Sequence, residues 1–233
     1  MKKCFALFWI LGLLLCGCGG QAPAGEVTPL TEAPTEVSTE VQEEKTLSMG
    51  REEGGVYTNP YAGFGCQFDS NWSVYTAEEL QELPDMVYST IEGSQLESIM
   101  ENYPQIFDLQ AENVNDLLAV NVVYTKVGLQ ERLLYAAQTE EETVDSILSQ
   151  ADMIKESYGQ AGMEVVSMEK VKVSFLGEEH YAIRTVSNAQ GVAIYMLQIA
   201  NFDLGAYGIN LTATSYVEDN VQSVLDLFYP VAE

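Results

Sequence analysis

A change of character near Gly55 limits what this chain can fold into. Residues 19–55 are dominated by Thr, Glu, Pro, Ala and Val without any apolar period, and Thr28-Pro29-Leu30-Thr31-Glu32-Ala33-Pro34-Thr35-Glu36 comes close to a small repeat. Prolines and mutually repelling glutamates cannot bury enough apolar surface to offset chain entropy, so residues 18–55 read as a disordered acidic linker. Only residues 56–233, about 178 in all, carry alternating and helical apolar periods. That length suits one hydrophobic core and is short for two, so a single domain is expected there.

Ahead of the linker stands an export signal: a basic start at Lys2 and Lys3, an apolar run over residues 5–15, and small residues at the exit. The run is too short to span a bilayer, which needs roughly 20 apolar residues in a helix. Leu15-Cys16-Gly17-Cys18 resembles a bacterial lipobox. Lipoprotein signal peptidases favour a small residue just before the modified cysteine and Leu three before it, which fits Cys18 and not Cys16. The expectation is a signal peptide over residues 1–17 and a diacylglycerol thioether on Cys18. Two acyl chains suffice for stable anchoring at the extracytoplasmic face of the bacterial cell membrane. The linker then holds the domain away from the lipid. Cys4 and Cys16 leave with the signal, so Cys66 remains alone, with no partner for a disulfide and no Cys-x-x-Cys pair for zinc or redox chemistry. In the apolar alternation Phe64, Cys66, Phe68 it reads as a buried, inert thiol.

The formal net charge is −25, and loss of Lys2 and Lys3 removes two more positive charges. A chain so acidic is repelled by anionic phospholipid and by nucleic acid, which excludes nucleic-acid partners. The acids are scattered, as on a solvated surface, and no Asp-x-Asp-x-Asp-Gly loop offers a calcium site. No metal or cofactor is expected. The densest cluster, Glu140-Glu141-Glu142, reads as a helix start, with Thr139 as N-cap and Glu142 closing a capping box.

From that cap, Val144, Ile147, Leu148, Ala151, Ile154 and Tyr158 recur at spacings of three and four, predicting one helix that ends near Gly159 and Gly162. A second helix is expected at the C-terminus, with Val217, Val221, Val224, Leu225 and Phe228 on one face and Pro230 as the stop. Between them, alternation around Val171, Val173 and Phe175, around Tyr181 and Ile183, and over residues 192–200 and 207–214 predicts strands joined by short turns at Gly177 and at Asn188-Ala189-Gln190-Gly191. Earlier strands are expected over residues 56–58, 65–68, 72–75, 106–111 and 118–125, with helices opened by a Thr76/Glu79 capping box and running through residues 96–100. The fold class is α+β: an antiparallel sheet flanked by helices.

The stretch Tyr57-Thr58-Asn59-Pro60-Tyr61-Ala62-Gly63-Phe64-Gly65-Cys66-Gln67-Phe68-Asp69-Ser70-Asn71-Trp72 is similar to the entry of PsbP-like domains, a group that includes bacterial lipoproteins of unknown function: Tyr-x-Asn, then Gly-Phe, apolar alternation and Trp. Ile106-Phe107-Asp108-Leu109 and Val120-Asn121-Val122-Val123 look like the paired strands that follow in those lipoproteins. Asn71 stands where they usually carry Pro. The resemblance implies an α/β/α sandwich that acts by docking to other proteins, and it carries no catalytic residue over.

The residues agree with that silence. His180 is the only histidine, and Ser-x-x-Lys and Gly-x-Ser-x-Gly are absent, so the usual nucleophile and base pairs are missing and an enzyme is not expected. Tyr57, Tyr61, Phe64, Trp72 and Tyr75 crowd one region, either as core packing or as an exposed stacking platform. Two functions remain: a docking module for an envelope or membrane protein, or a binding protein for an extracellular glycan or small ligand of the kind that serves a transporter.

Overall fold

The computed structural model describes residues 47–76, 79, 105–201 and 207–231. Cys18, the signal, most of the linker and the helix expected through residues 96–100 lie outside them. Of the Thr76 cap, the hydrogen bonds themselves are present: Thr76 N–H donates to Glu79 at 2.8 Å and Glu79 N–H to Thr76 Oγ1 at 3.3 Å. Among the described residues no helix is long and apolar enough to cross a membrane.

The chain is α+β and its sheets are antiparallel. Strands β1 (Arg51–Glu53), β2 (Val56–Asn59), β3 (Phe64–Gln67), β4 (Ser73–Val74), β5 (Gln105–Asn113) and β6 (Leu118–Lys126) come first. Helices α1 (Leu129–Ala136), α2 (Glu140–Leu148) and α3 (Ala151–Gln160) follow. Then come β7 (Glu164–Phe175), β8 (Glu178–Ala189), β9 (Val192–Asn201), β10 (Tyr207–Tyr216), the one-turn α4 (Gln222–Leu225) and β11 (Phe228–Pro230). A seven-stranded sheet runs β4-β5-β6-β10-β9-β8-β7, and a four-stranded one runs β1-β2-β3-β11. The β7-to-β10 meander follows from its turns. Leu176-Gly177 and Gln190-Gly191 have φ of 55° and 85°, and 52° and 85°, the paired left-handed geometry that matches strand twist in two-residue hairpins.

Alternation along the strands gives the large sheet two covered faces. On one, Ile106, Leu109, Val120, Val122, Leu197 and Leu211 meet Tyr57, Phe64, Cys66, Phe68 and Phe228 of the small sheet, together with Val221, Val224 and Leu225 around α4. On the other, Val144, Ile147, Ile154 and Tyr158 of α2 and α3 cover Ile183, Ile194 and Met196.

Three expectations change. The C-terminal helix shrinks to α4, because a single turn already seats Val221, Val224 and Leu225 and the chain then pairs Phe228 with Cys66 as a strand. Val217, expected on its buried face, is exposed and left-handed at φ 73°. The long helix after Thr139 is two helices, broken at Ser149, whose hydroxyl bonds back to the Ser146 carbonyl at 2.6 Å and competes with the helical ladder. Ordered structure also starts before the boundary expected at residue 55: Leu47 is buried in the core and Arg51–Glu53 pairs with β2.

Polar contacts join the two sheets at Asp108, which sits at a register shift in β5 between Phe107 and Leu109. Its carboxylate accepts from Gly50 N–H at 2.7 Å, from Asn59 Nδ2 at 2.6 Å and from the Tyr57 hydroxyl. Asn59 Nδ2 also lies 2.7 Å from the Tyr124 hydroxyl, which donates to the Ser48 carbonyl at 3.0 Å. The Tyr-x-Asn motif thus meets the Asp of Ile106-Phe107-Asp108-Leu109. Burial pushes the Asp108 carboxyl up to about 6, although the donors from Tyr57, Gly50 and Asn59 pull it down.

A folded-state pKa above the unfolded value, about 3.9, means the folded state holds the proton more tightly. The contribution to stability is therefore greatest below pH ~4, declines as pH rises through 6 and is flat above. Urea unfolding of the wild type and Asp108→Asn between pH 4 and 7 checks this: their stability difference should change across that window, and parallel curves would contradict it.

Candidate functional site

A cleft of about 390 Å³ opens at the end of the large sheet where β6 leaves toward α1 and β7 turns into β8. Its floor is apolar: Ile199, Ile209 and Leu211 from the large sheet and Phe64 from the small one, with Phe175 at the side. The Phe64 and Phe175 rings meet edge to face, 6.0 Å between centroids. Tyr135, Gln138, Glu140, Thr143, Glu178, Glu179 and His180 supply the polar part of its lining.

The capping box places the rim. Thr139 N–H donates to Glu142 Oε2 at 2.8 Å and Glu142 N–H to Thr139 Oγ1 at 3.2 Å, which fixes the first turn of α2. Each glutamate of the triplet then has its own role. Glu140 turns onto β8, with Oε1 2.9 Å from His180 Nδ1 and Oε2 accepting Tyr181 N–H at 3.0 Å. Glu141 and Asp145 both bind Lys170 Nζ at 2.8 Å. That contact holds the Glu141 carboxyl below its usual range and raises Lys170. The helix start was legible from the acids at its N-terminus, whereas their partners on β7 and β8 were not. His180 is no free side chain: besides Glu140, its ring stands edge to face on Phe175 at 5.9 Å.

Nothing here assembles a nucleophile with its base, and among the described residues no group of three or more His, Cys, Asp and Glu could hold a metal ion. Cys66 is fully buried, and desolvation pushes its thiol up to about 12, away from reactivity. Of the aromatic cluster, Tyr57, Tyr61 and Phe64 are core residues, Trp72 packs half-buried on Phe68 at 5.2 Å, and Tyr75 is half-buried. Core packing accounts for them, and they form no exposed platform.

Beside the cleft, α1 breaks the rule that leucines go inside. Leu129, Leu133 and Leu134 are 64%, 67% and 51% exposed, Leu129 and Leu133 one above the other at i and i+4. Tyr135 of the same helix and Gln138, next along the chain, line the cleft. No sequence expectation covered α1, because its apolar stripe does not face the core.

A separate polar feature lies on the helix-covered face of the large sheet. Gln110, Asn121, Thr212 and Gln198 form one cross-strand row over β5, β6, β10 and β9, all buried. Asn121 Oδ1, Gln198 Oε1 and both amide atoms of nearby Asn210 find no partner among the described residues.

No family model matches this chain, and no curated protein matches it. Among solved structures it is similar to the solution structure of cyanobacterial PsbP (CyanoP) from Synechocystis sp. PCC 6803, at 9% identity and a TM-score of 0.39, over 83% of this chain and 99% of that one.

Glu140 ties α2 to β8, so Glu140→Ala strands the Tyr181 N–H and should cost about 1–2 kcal/mol of stability, whereas Glu140→Gln keeps an acceptor and should cost less. Urea unfolding of both variants checks the order; equal losses would contradict the assigned contact.

Proposed function

We propose that this chain is a bacterial lipoprotein, anchored through Cys18 at the extracytoplasmic face of the cell membrane, whose domain is a non-catalytic module that docks onto an envelope or membrane protein. The observation that supports docking most directly is the leucine surface of α1 beside the cleft. Adjacent exposed apolar side chains on a small acidic domain lose free energy to water, and covering them against a partner regains about 25 cal/mol per Å². The acidic remainder of the surface keeps the uncovered domain soluble.

The test is in-situ crosslinking of the intact lipoprotein in its own membrane, comparing wild type, Cys18→Ala and a Leu129→Asp/Leu133→Asp double variant. The wild type should yield one stoichiometric protein partner. Cys18→Ala should leave the membrane fraction, and the double variant should stay anchored with an unchanged melting temperature but lose the partner. A double variant that captures the partner as well as wild type would overturn docking through α1.

A further inference from the structure

We propose that the cleft at the end of the large sheet receives a basic side chain, Lys or Arg, from the protein that docks on α1. The inference rests on the docking reading and specifies its chemistry. Three properties of the cleft converge on a cation carried by an apolar stem.

The walls suit the stem. Ile199, Ile209 and Leu211 with the Phe64 and Phe175 rings give an apolar lining along which a methylene chain loses water, as long basic side chains do when they lie on apolar surface. A volume of about 390 Å³ is ample for one such side chain and lies in the usual range of binding pockets.

The polar groups suit the head. Gln138 Oε1 is buried and accepts no hydrogen bond among the described residues. Glu178 adds an exposed carboxylate, and Glu140 adds negative charge even while its oxygens serve His180 and Tyr181. These are acceptors, and ammonium and guanidinium groups are donors only. A purely apolar occupant would leave Gln138 Oε1 unsatisfied, and an anion would face the carboxylates of Glu140, Glu178 and Glu179.

The field favours the same sign. The described lining residues include no Lys or Arg, and the neighbouring Lys172 is already bonded to Glu179. With a formal net charge of −25, the chain draws basic partners toward it from solution, an attraction that salt screens.

The experiment uses the full-length lipoprotein in detergent, with labelled methyl groups on Ile199, Ile209 and Leu211 as reporters. It is titrated with Ac-Ala-Ala-Lys-Ala-Ala-NH2 and with the same peptide carrying Arg, norleucine, acetyl-lysine or Glu in place of Lys. The Lys or the Arg peptide should shift these methyls saturably and bind at least about tenfold more tightly than the norleucine, acetyl-lysine and Glu peptides. Gln138→Leu and Glu178→Gln should each weaken that binding several-fold without moving the melting temperature. The inference is overturned if the norleucine or Glu peptide binds as tightly as the basic ones, or if no peptide moves the methyls. Loss of the crosslinked partner in the α1 variant is read separately. A captured partner without basic-peptide selectivity sinks this inference alone, whereas failure to capture any partner sinks the docking reading itself.

Discussion

The carboxylate of Asp108 is the contact on which the arrangement of the two sheets depends. A half-buried carboxylate loses part of the hydration that stabilises its charge, and close donors offset some of that loss. Gly50, Tyr57 and Asn59 supply them from the segment that leads into the small sheet and from β2, while Asp108 itself belongs to the large sheet. Each donor has a further tie or a place in the core: Asn59 to Tyr124 and to Ala62 N–H, Tyr57 to the packing around Phe64. Removing any one leaves charge or donors stranded inside, so the small sheet is held in one position rather than sliding on an apolar face.

That position makes the cleft. With the small sheet fixed, Phe64 lies against Phe175 and Phe228 at the edge of the core, 6.0 and 5.5 Å between ring centroids. The layer stops short of the end of the large sheet, and Glu140, bonded across to β8, closes the other side. The rim is thus set by two polar anchors about which the apolar packing is organised. Helix α1 stands outside both, with its leucines in water.

Much of this was legible in the sequence because it is local. Alternation and the Leu176-Gly177 and Gln190-Gly191 turns read as a meander, and Thr139 with Glu142 read as a cap, since each depends on residues a few positions apart. The Tyr57-x-Asn59 motif could be seen but not explained, because its partner Asp108 is about fifty residues away. Val221, Val224, Leu225 and Phe228 fit a long helix as well as a single turn followed by a strand, and pairing with Cys66 settles the matter only in three dimensions. Leu47 and β1 hide in a segment whose composition marks a linker. The α1 leucines were missed for a related reason: periodicity finds helices by the stripe they bury, and here the stripe faces outward. The cleft draws its lining from distant parts of the chain, and no spacing in the sequence brings Gln138 to Phe64.

The claim that most needs testing is that the α1 and cleft end of the sheet is the face the protein uses. Amide hydrogen exchange should be compared between the full-length lipoprotein in its native membrane and the same protein purified in detergent. The account predicts slower exchange in the membrane over residues 129–138 and 178–181, with the β7-to-β10 meander otherwise unchanged. Identical exchange at those residues in both states, or protection confined to another surface such as the strand around Val166, would contradict it.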